Sequence, residues 1–313
     1  MTAIPLRIGT RGSPLALAQA NRVAARLAAA HPDLAGVGRI EVVPIVTSGD
    51  KTQDRALAEI GGKGLFTKEI DIATLDGSIA LAVHSLKDLP TVLPAGIALA
   101  CIPEREDVRD VLIARGARRI ADLPMGAVVG TASLRRAAQL LHRRADLRIV
   151  TLRGNVGTRI AKLEKGEVDA TLLALAGLMR LGFADHPLAA PISTGEMLPA
   201  VGQGAIAITC RAEDEATRAL LAPLDDADAH TAIKAERAFL DLLDGSCRTP
   251  IAAHATIAGD TLSLHGMIAT PDGKQLHETR HQGKRDAAEP VGRAAASELL
   301  ERAGPDFFAF KRP

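Results

Sequence analysis

Arginines and lysines in this chain gather in short turns rich in Gly, Ser and Thr. They are Thr10-Arg11-Gly12-Ser13, Gly61-Gly62-Lys63-Gly64, Thr131-Ala132-Ser133-Leu134-Arg135-Arg136 and Leu152-Arg153-Gly154-Asn155. Turns of this composition expose backbone N–H groups, and a helix starting just beyond adds the positive end of its dipole. An arginine placed there offers a rigid planar fork for a carboxylate or phosphate. The formal net charge is only +1, so this cationic character is local. Four such turns describe a concave site for a ligand with many negative charges.

Two further segments carry reactive groups. His84-Ser85-Leu86-Lys87-Asp88-Leu89-Pro90 follows an apolar run at Ile79–Val83, which puts Lys87 and Asp88 at the C-terminal end of a strand. Open α/β sheets gather their ligands there. Asp88 beside Lys87 reads equally as a solvated ion pair of little worth or, in a cation-lined cleft, as the acid. In that second role it donates a proton and then stabilises a cation. Cys247 lies in the turn Asp244-Gly245-Ser246-Cys247-Arg248-Thr249-Pro250. It is either an incidental loop thiol or, with Arg248 favouring its thiolate, a nucleophile or attachment point. Cys101 and Cys210 sit in apolar strand patterns and read as core.

Two apparent motifs fail on geometry. His277-Glu278-Thr279-Arg280-His281 has the zinc-protease spacing, but it follows Pro271-Asp272-Gly273 in an alternating segment. On a strand the two histidines stand roughly 13 Å apart, too far to share a zinc ion. Gly61–Gly64 lacks the Ser/Thr and the upstream glycine of a phosphate loop. No metal site is expected.

The elements that position these residues alternate between strand and helix. A strand at about Leu6–Thr10 leads to a helix with Ser13 as N-cap and Pro14 at its first position, ending before His31-Pro32. A strand at Ile40–Thr47, a helix after Gly64 and a strand at Ile79–Val83 follow, which argues for a largely parallel α/β sheet. The next stretch echoes the first. Ile8-Gly9-Thr10-Arg11-Gly12-Ser13 returns as Val129-Gly130-Thr131-Ala132-Ser133, and the helices after them carry Gln19 and Gln139. The echo is either coincidence in an Ala-rich chain or two similar α/β domains facing each other across a ligand. Beyond a polar linker at Asp225–Asp228, a helix (about Ala229–Leu243) and an alternating run with turns at Gly259-Asp260 and Pro271–Gly273 predict a small antiparallel α+β domain. A helix at about Ala287–Ala303 closes it.

Composition removes other classes. With no Trp, no Tyr and six Phe, stacking platforms for nucleic acid are missing. No run of about 18 apolar residues marks a membrane span. An apparent strand at Ile4–Ile8 leaves no room for a secretory signal, and three cysteines without C-x-x-C pairing fit a reduced, cytoplasmic protein. A solute-binding protein would share the two-domain cleft but would normally be exported and would leave Cys247 unexplained.

Eight motifs in order resemble the porphobilinogen deaminase (hydroxymethylbilane synthase) family over nearly the whole chain. They are I-G-T-R-G-S-P-L-A, G-G-K-G-L-F-T-K-E, H-S-L-K-D-L-P, G-T-A-S-L-R-R, L-R-G-N-V-G-T-R, A-L-A-G-L-M-R-L, L-P-A-V-G-Q-G-A and G-S-C-R-T-P. The resemblance implies two similar periplasmic-binding-protein-like α/β domains, 1–104 with 205–222 and 105–204, and a third α+β domain, 223–313. It implies a dipyrromethane cofactor thioether-linked to Cys247. On it four porphobilinogens condense head to tail with loss of ammonia, and water then releases the linear tetrapyrrole. Asp88 matches the catalytic aspartate. Arg11, Ser13, Lys87, Ser133, Arg135, Arg136, Arg153 and Arg159 match positions that hold acetate and propionate groups. Gln19, Lys63, Thr131, Gly154, Asn155, Arg180, Gln203 and Gly204 match further contributors, while Glu59 stands where relatives have a basic residue. The implied enzyme is a monomeric transferase acting on a small molecule, with no nucleic-acid or membrane partner.

Overall fold

Unbroken apolar runs mark strands that must be covered on both faces, and alternating runs mark strands covered on one. In the computed structural model, which describes residues 5–51, 64–243, 249–305, 307 and 308, the described chain forms two compact units. One gathers 5–51, 64–106 and 204–230; the other gathers 107–203 and the described residues from 231 onward.

The first unit is built on a five-stranded sheet. Its strands are β1 (Leu6–Arg11), β2 (Ile40–Ile45), β3 (Leu81–Ser85), β4 (Ile97–Cys101) and, from much later in the chain, β10 (Ile206–Arg211), in the order β2-β1-β3-β10-β4. β1 runs parallel to β2 and β3, and β10 is antiparallel to β3 and β4. Ile8, Leu81, Val83 and Ile208 pack with Val23 and Leu27 of the helix Pro14–Ala30. Ala82 faces the other way, onto Ile70 and Ile79. Burial on both faces is why these strands read as apolar runs rather than alternating ones.

The second unit repeats that sheet with β5 (Asp110–Ala114), β6 (Val128–Gly130), β7 (Arg148–Val150), β8 (Ala170–Ala174) and β9 (Ala189–Pro191), ordered β7-β6-β8-β5-β9. Parallel and antiparallel pairings match position by position, so the echo in the sequence is a duplicated architecture. Two equivalent glycines show why the echo includes them. A Cβ on Gly9 would come 2.2 Å from Ile79 Cδ1, and one on Gly130 would come 2.8 Å from Leu152 Cβ. Along β5, Leu112 and Ala114 join one core while Val111 and Ile113 join the other.

The same unit carries a three-stranded antiparallel sheet, β11 (Ile251–Ala258), β12 (Thr261–Ala269) and β13 (Leu276–Lys284). The helices Ala227–Leu242 and Ala288–Ala303 supply Phe239, Ala295 and Leu299 to its core. The hairpin at Gly259-Asp260 closes with Ala258 opposite Thr261. His277 and His281 lie on β13, as the alternation requires. The class is therefore α/β with a small α+β portion. Among the described residues no helix is long and apolar enough to cross a membrane.

Three details differ from the sequence reading. The sheet expected to be largely parallel is mixed, because β10, arriving from much later in the chain, runs antiparallel to both β3 and β4, as β5 does to β8 and β9. The strand placed at Ile79–Val83 runs Leu81–Ser85, because Ile79 packs beneath Gly9 before the ladder begins. The polar stretch at Asp225–Asp228 is not a loose linker. Asp225 accepts from the Ile102 N–H at 2.7 Å, and Asp226 Oδ1 accepts from the Ala229 N–H at 2.8 Å, starting the next helix.

Candidate active site

In the first unit the candidate residues converge where β1 and β3 end. Ser13 caps the helix Pro14–Ala30, its Oγ accepting from the Ala16 N–H at 3.3 Å. That helix buries Gln19, whose Nε2 donates to Ser85 Oγ at 2.9 Å. Beyond Ser85 the chain makes one 3-10 turn, Leu86–Asp88, with Leu86 and Leu89 buried and Lys87 and Asp88 exposed. Arg11, Ser13, Gln19, Phe66, His84, Ser85 and Asp88 line one hollow. Arg11 lies with its guanidinium carbon 4.1 Å from the Phe66 ring centre and pairs with Asp50, Nε donating to Oδ1 at 3.2 Å.

His84 is buried beneath this hollow, its Nε2 3.2 Å from Thr209 Oγ1. Burial first, and then the positive charge of Arg11, pushes its pKa down to about 4. A depressed histidine stabilises the fold above its unfolded value near 6.5, and that contribution is lost as pH falls toward 4. The unfolding midpoint should therefore drop between pH 7 and 5. His84→Gln should flatten part of that slope in thermal melts; an unchanged slope would assign the acid sensitivity elsewhere.

In the second unit the cations cluster around one carboxylate. Ser133 caps the helix Leu134–Arg143, accepting from the Arg136 N–H at 3.4 Å, and Thr131 Oγ1 accepts from the Ser133 N–H at 3.1 Å. Arg135 and Arg136 follow in its first turn. Both reach Asp110 at the start of β5, through Arg135 Nη1 at 2.7 Å and Arg136 Nη2 at 2.6 Å. Asp110 is fully buried. Burial raises its pKa, but the two guanidiniums outweigh that and hold the carboxyl well below the usual range. Gln203 Nε2 donates to the same carboxylate at 3.1 Å and to the Val108 carbonyl at 2.7 Å.

Among the described residues, further positive charge has no such counterion. Arg159 donates through Nε to the Gly154 carbonyl at 2.9 Å. Burial, then the nearby charges of Arg136 and Arg153, lower its pKa to about 10. Arg153 buries its Nη2 with no hydrogen-bond partner among the described residues. Asn155 caps the helix Val156–Glu164, accepting from the Thr158 N–H at 2.8 Å. Gly154 holds φ +122°, and its Cβ position is blocked by Thr158. A carboxylate-rich ligand fits this donor set, since mutual repulsion among guanidiniums is relieved when an anion arrives.

Each unit thus assembles its own subset of the candidates. Arg11, Ser13, Gln19, Lys87 and Asp88 belong to the first, and Gly204 is also there, its carbonyl accepting from the Glu106 N–H at 3.3 Å. Thr131, Ser133, Arg135, Arg136, Arg153, Gly154, Asn155, Arg159 and Gln203 belong to the second, as does half-buried Arg180 at the end of the helix Leu175–Arg180. Lys63, Glu59 and Cys247 lie outside the described residues. Sequence reasoning passed over Asp50, Phe66, His84 and Asp110. Only Asp110 carried a signal: an acid opening the apolar run Val111–Ala114 must be buried, and so must have a partner.

Comparison with known proteins agrees with these features. Residues 6–219 match the family model "Porphobilinogen deaminase, dipyromethane cofactor binding domain", and residues 230–301 match "Porphobilinogen deaminase, C-terminal domain". The chain is 54% identical over 307 residues to the porphobilinogen deaminase of Nitrobacter winogradskyi, covering 98% of this chain and 96% of that protein. It is 52% identical to the chloroplastic porphobilinogen deaminase of Oryza sativa subsp. japonica, covering 97% and 85%. Among solved structures, an ancestral cationic amino acid solute binding protein aligns at 14% identity and a TM-score of 0.44, over 71% of this chain and 88% of that one. With the ordered motifs and two matching family models, this chain belongs to the porphobilinogen deaminase family.

Proposed function

We propose that the chain performs the deaminase reaction with Asp88 as its acid, Cys247 as its anchor and the arginine-bearing turns as its carboxylate holders. The observation that carries this reading is the crowding of Arg136, Arg153 and Arg159, with one buried guanidinium nitrogen of Arg153 left unbonded among the described residues. Each pyrrole of the substrate brings two carboxylates, so six linked rings bring twelve. The bound dipyrromethane supplies the primer on which the new chain is built. Asp88, on the turn after β3, gives a proton to the departing ammonia of porphobilinogen, and its carboxylate then balances the positive pyrrole that remains. Arg11 and Ser13 orient substrate carboxylates in the first unit. Arg153 and Arg159 take carboxylates in the second, where Asp110 keeps Arg135 and Arg136 aligned.

The same reading makes the enzyme a transferase, cytoplasmic and monomeric, with domains 1–104 plus 205–222, 105–204 and 223–313. Intact mass of the purified chain tests the core of it: a covalent adduct of two pyrrole units is expected. Bare polypeptide mass, with no ammonia released from porphobilinogen, would overturn it.

Arginine geometry gives a second expectation. Twelve carboxylates exceed the principal holders, so successive condensations must use different subsets. Lysine keeps the charge and loses the planar fork. Arg153→Lys and Arg159→Lys should each pile up particular enzyme-bound intermediates, visible as an altered ladder of masses. A ladder slowed evenly at every rung would reduce these residues to general electrostatic support.

A further inference from the structure

Arg11, assigned above to substrate carboxylates, already holds a carboxylate of the protein. Asp50 Oδ1 accepts from both Nε and Nη2 of Arg11, and Oδ2 lies 3.4 Å from Nε. Arg11 lines the hollow that also contains Ser13 and Asp88. Both partners of the pair are about a quarter exposed, at 24% and 26%. The contrast with Asp110 is informative. That carboxylate is sealed between two arginines exposed by only 6% and 7%, a permanent arrangement.

We infer that Asp50 is a placeholder, occupying the Arg11 fork until a substrate carboxylate displaces it, and so sets how much porphobilinogen the enzyme needs. This rests on Arg11 being a carboxylate holder. Two features suit Asp50 to exchange. Thr47 donates to its Oδ2 through Oγ1 at 2.7 Å and through its N–H at 3.3 Å, so the displaced carboxylate keeps a bonding partner. Phe66 stacks on the guanidinium and holds its plane while one carboxylate replaces another. A fork that is free only part of the time binds substrate more weakly by that fraction. A partly exposed ion pair is worth about 1 kcal/mol at most, which corresponds to a roughly fivefold penalty.

The test is a double-mutant cycle on cofactor-loaded protein, loading being verified by intact mass. Asp50→Asn should lower KM for porphobilinogen about fivefold while kcat changes less than about twofold. Arg11→Gln should raise KM, and adding Asp50→Asn to it should change nothing further. An Asp50→Asn KM that stays level or rises overturns the exchange. So does the same fivefold fall in the Arg11→Gln background, since Asp50 would then act by bulk charge alone. An unchanged KM in Arg11→Gln removes Arg11 from substrate binding and this inference with it, whereas failure of Asp50→Asn alone leaves Arg11 in place.

Where Arg11→Gln does not load cofactor, wild-type protein supplies the answer. The ¹³C carboxyl resonance of Asp50 should titrate at higher pH once an unreactive dicarboxylate pyrrole is bound, because burial no longer competes with an Arg11 bond. An unchanged titration rejects displacement.

Discussion

The Cys247→Ala protein is expected to have the mass of polypeptide alone, to give no Ehrlich-positive pyrrole and to show no turnover. A thiolate, not a thiol, forms the bond to a pyrrole carbon. Cys101 ends β4 with no exposed surface, and burial, then the charge of Asp225, pushes its thiol up to about 12. Cys210 is equally sealed within β10, and burial raises its pKa too. Neither can reach or attack a ligand without dismantling the first unit's sheet. In the sequence Cys247 follows Gly245-Ser246 and precedes Arg248, outside the runs that form those strands. Cys101→Ala and Cys210→Ala should therefore keep the adduct. Retention of a two-pyrrole mass in Cys247→Ala would move the anchor.

Much of the fold was legible because its signals are local. Ser13 could be read as a cap from the residues beside it, and Gly9 and Gly130 marked equivalent strands because each allows a close approach. The strand position before Asp88 followed from an apolar run and a polar turn. What stayed hidden depends on residues far apart in sequence. Arg136 and Asp110 are 26 positions apart, and Arg11 and Asp50 are 39. No periodicity pairs such groups, because a guanidinium has the same local preference whether it faces a substrate or an aspartate. The matching glutamines show the same limit. Both were visible as a repeat, yet Gln19 bonds Ser85 at the hollow while Gln139 holds both the N–H and carbonyl of Leu198. Duplication preserves where a side chain stands more faithfully than what it touches.

Asp88→Asn should lower kcat by at least about 100-fold, the usual scale for losing a positioned general acid, while the protein folds and carries its cofactor. The turn that bears Asp88 is fixed from both sides. Leu86 is 1% exposed and Leu89 is 6% exposed, and the Leu89 N–H closes the turn onto the Leu86 carbonyl at 3.0 Å. Asp88 itself is exposed, so an amide of the same size leaves these anchors alone and stability should move by less than about 0.5 kcal/mol. The amide has neither the acidic proton nor the negative charge, and both are needed in every condensation because each releases one ammonia. The mass ladder of bound intermediates should keep its shape and simply fill more slowly, unlike that of Arg153→Lys or Arg159→Lys. Asp88→Glu keeps the acid but extends it by one methylene. On a turn this firmly held the displaced carboxyl cannot be accommodated by backbone movement, so its turnover should fall between wild type and Asp88→Asn. Near-normal kcat in Asp88→Asn with the adduct in place would show that the proton comes from elsewhere. A slowed first condensation with later ones untouched would confine Asp88 to starting the chain.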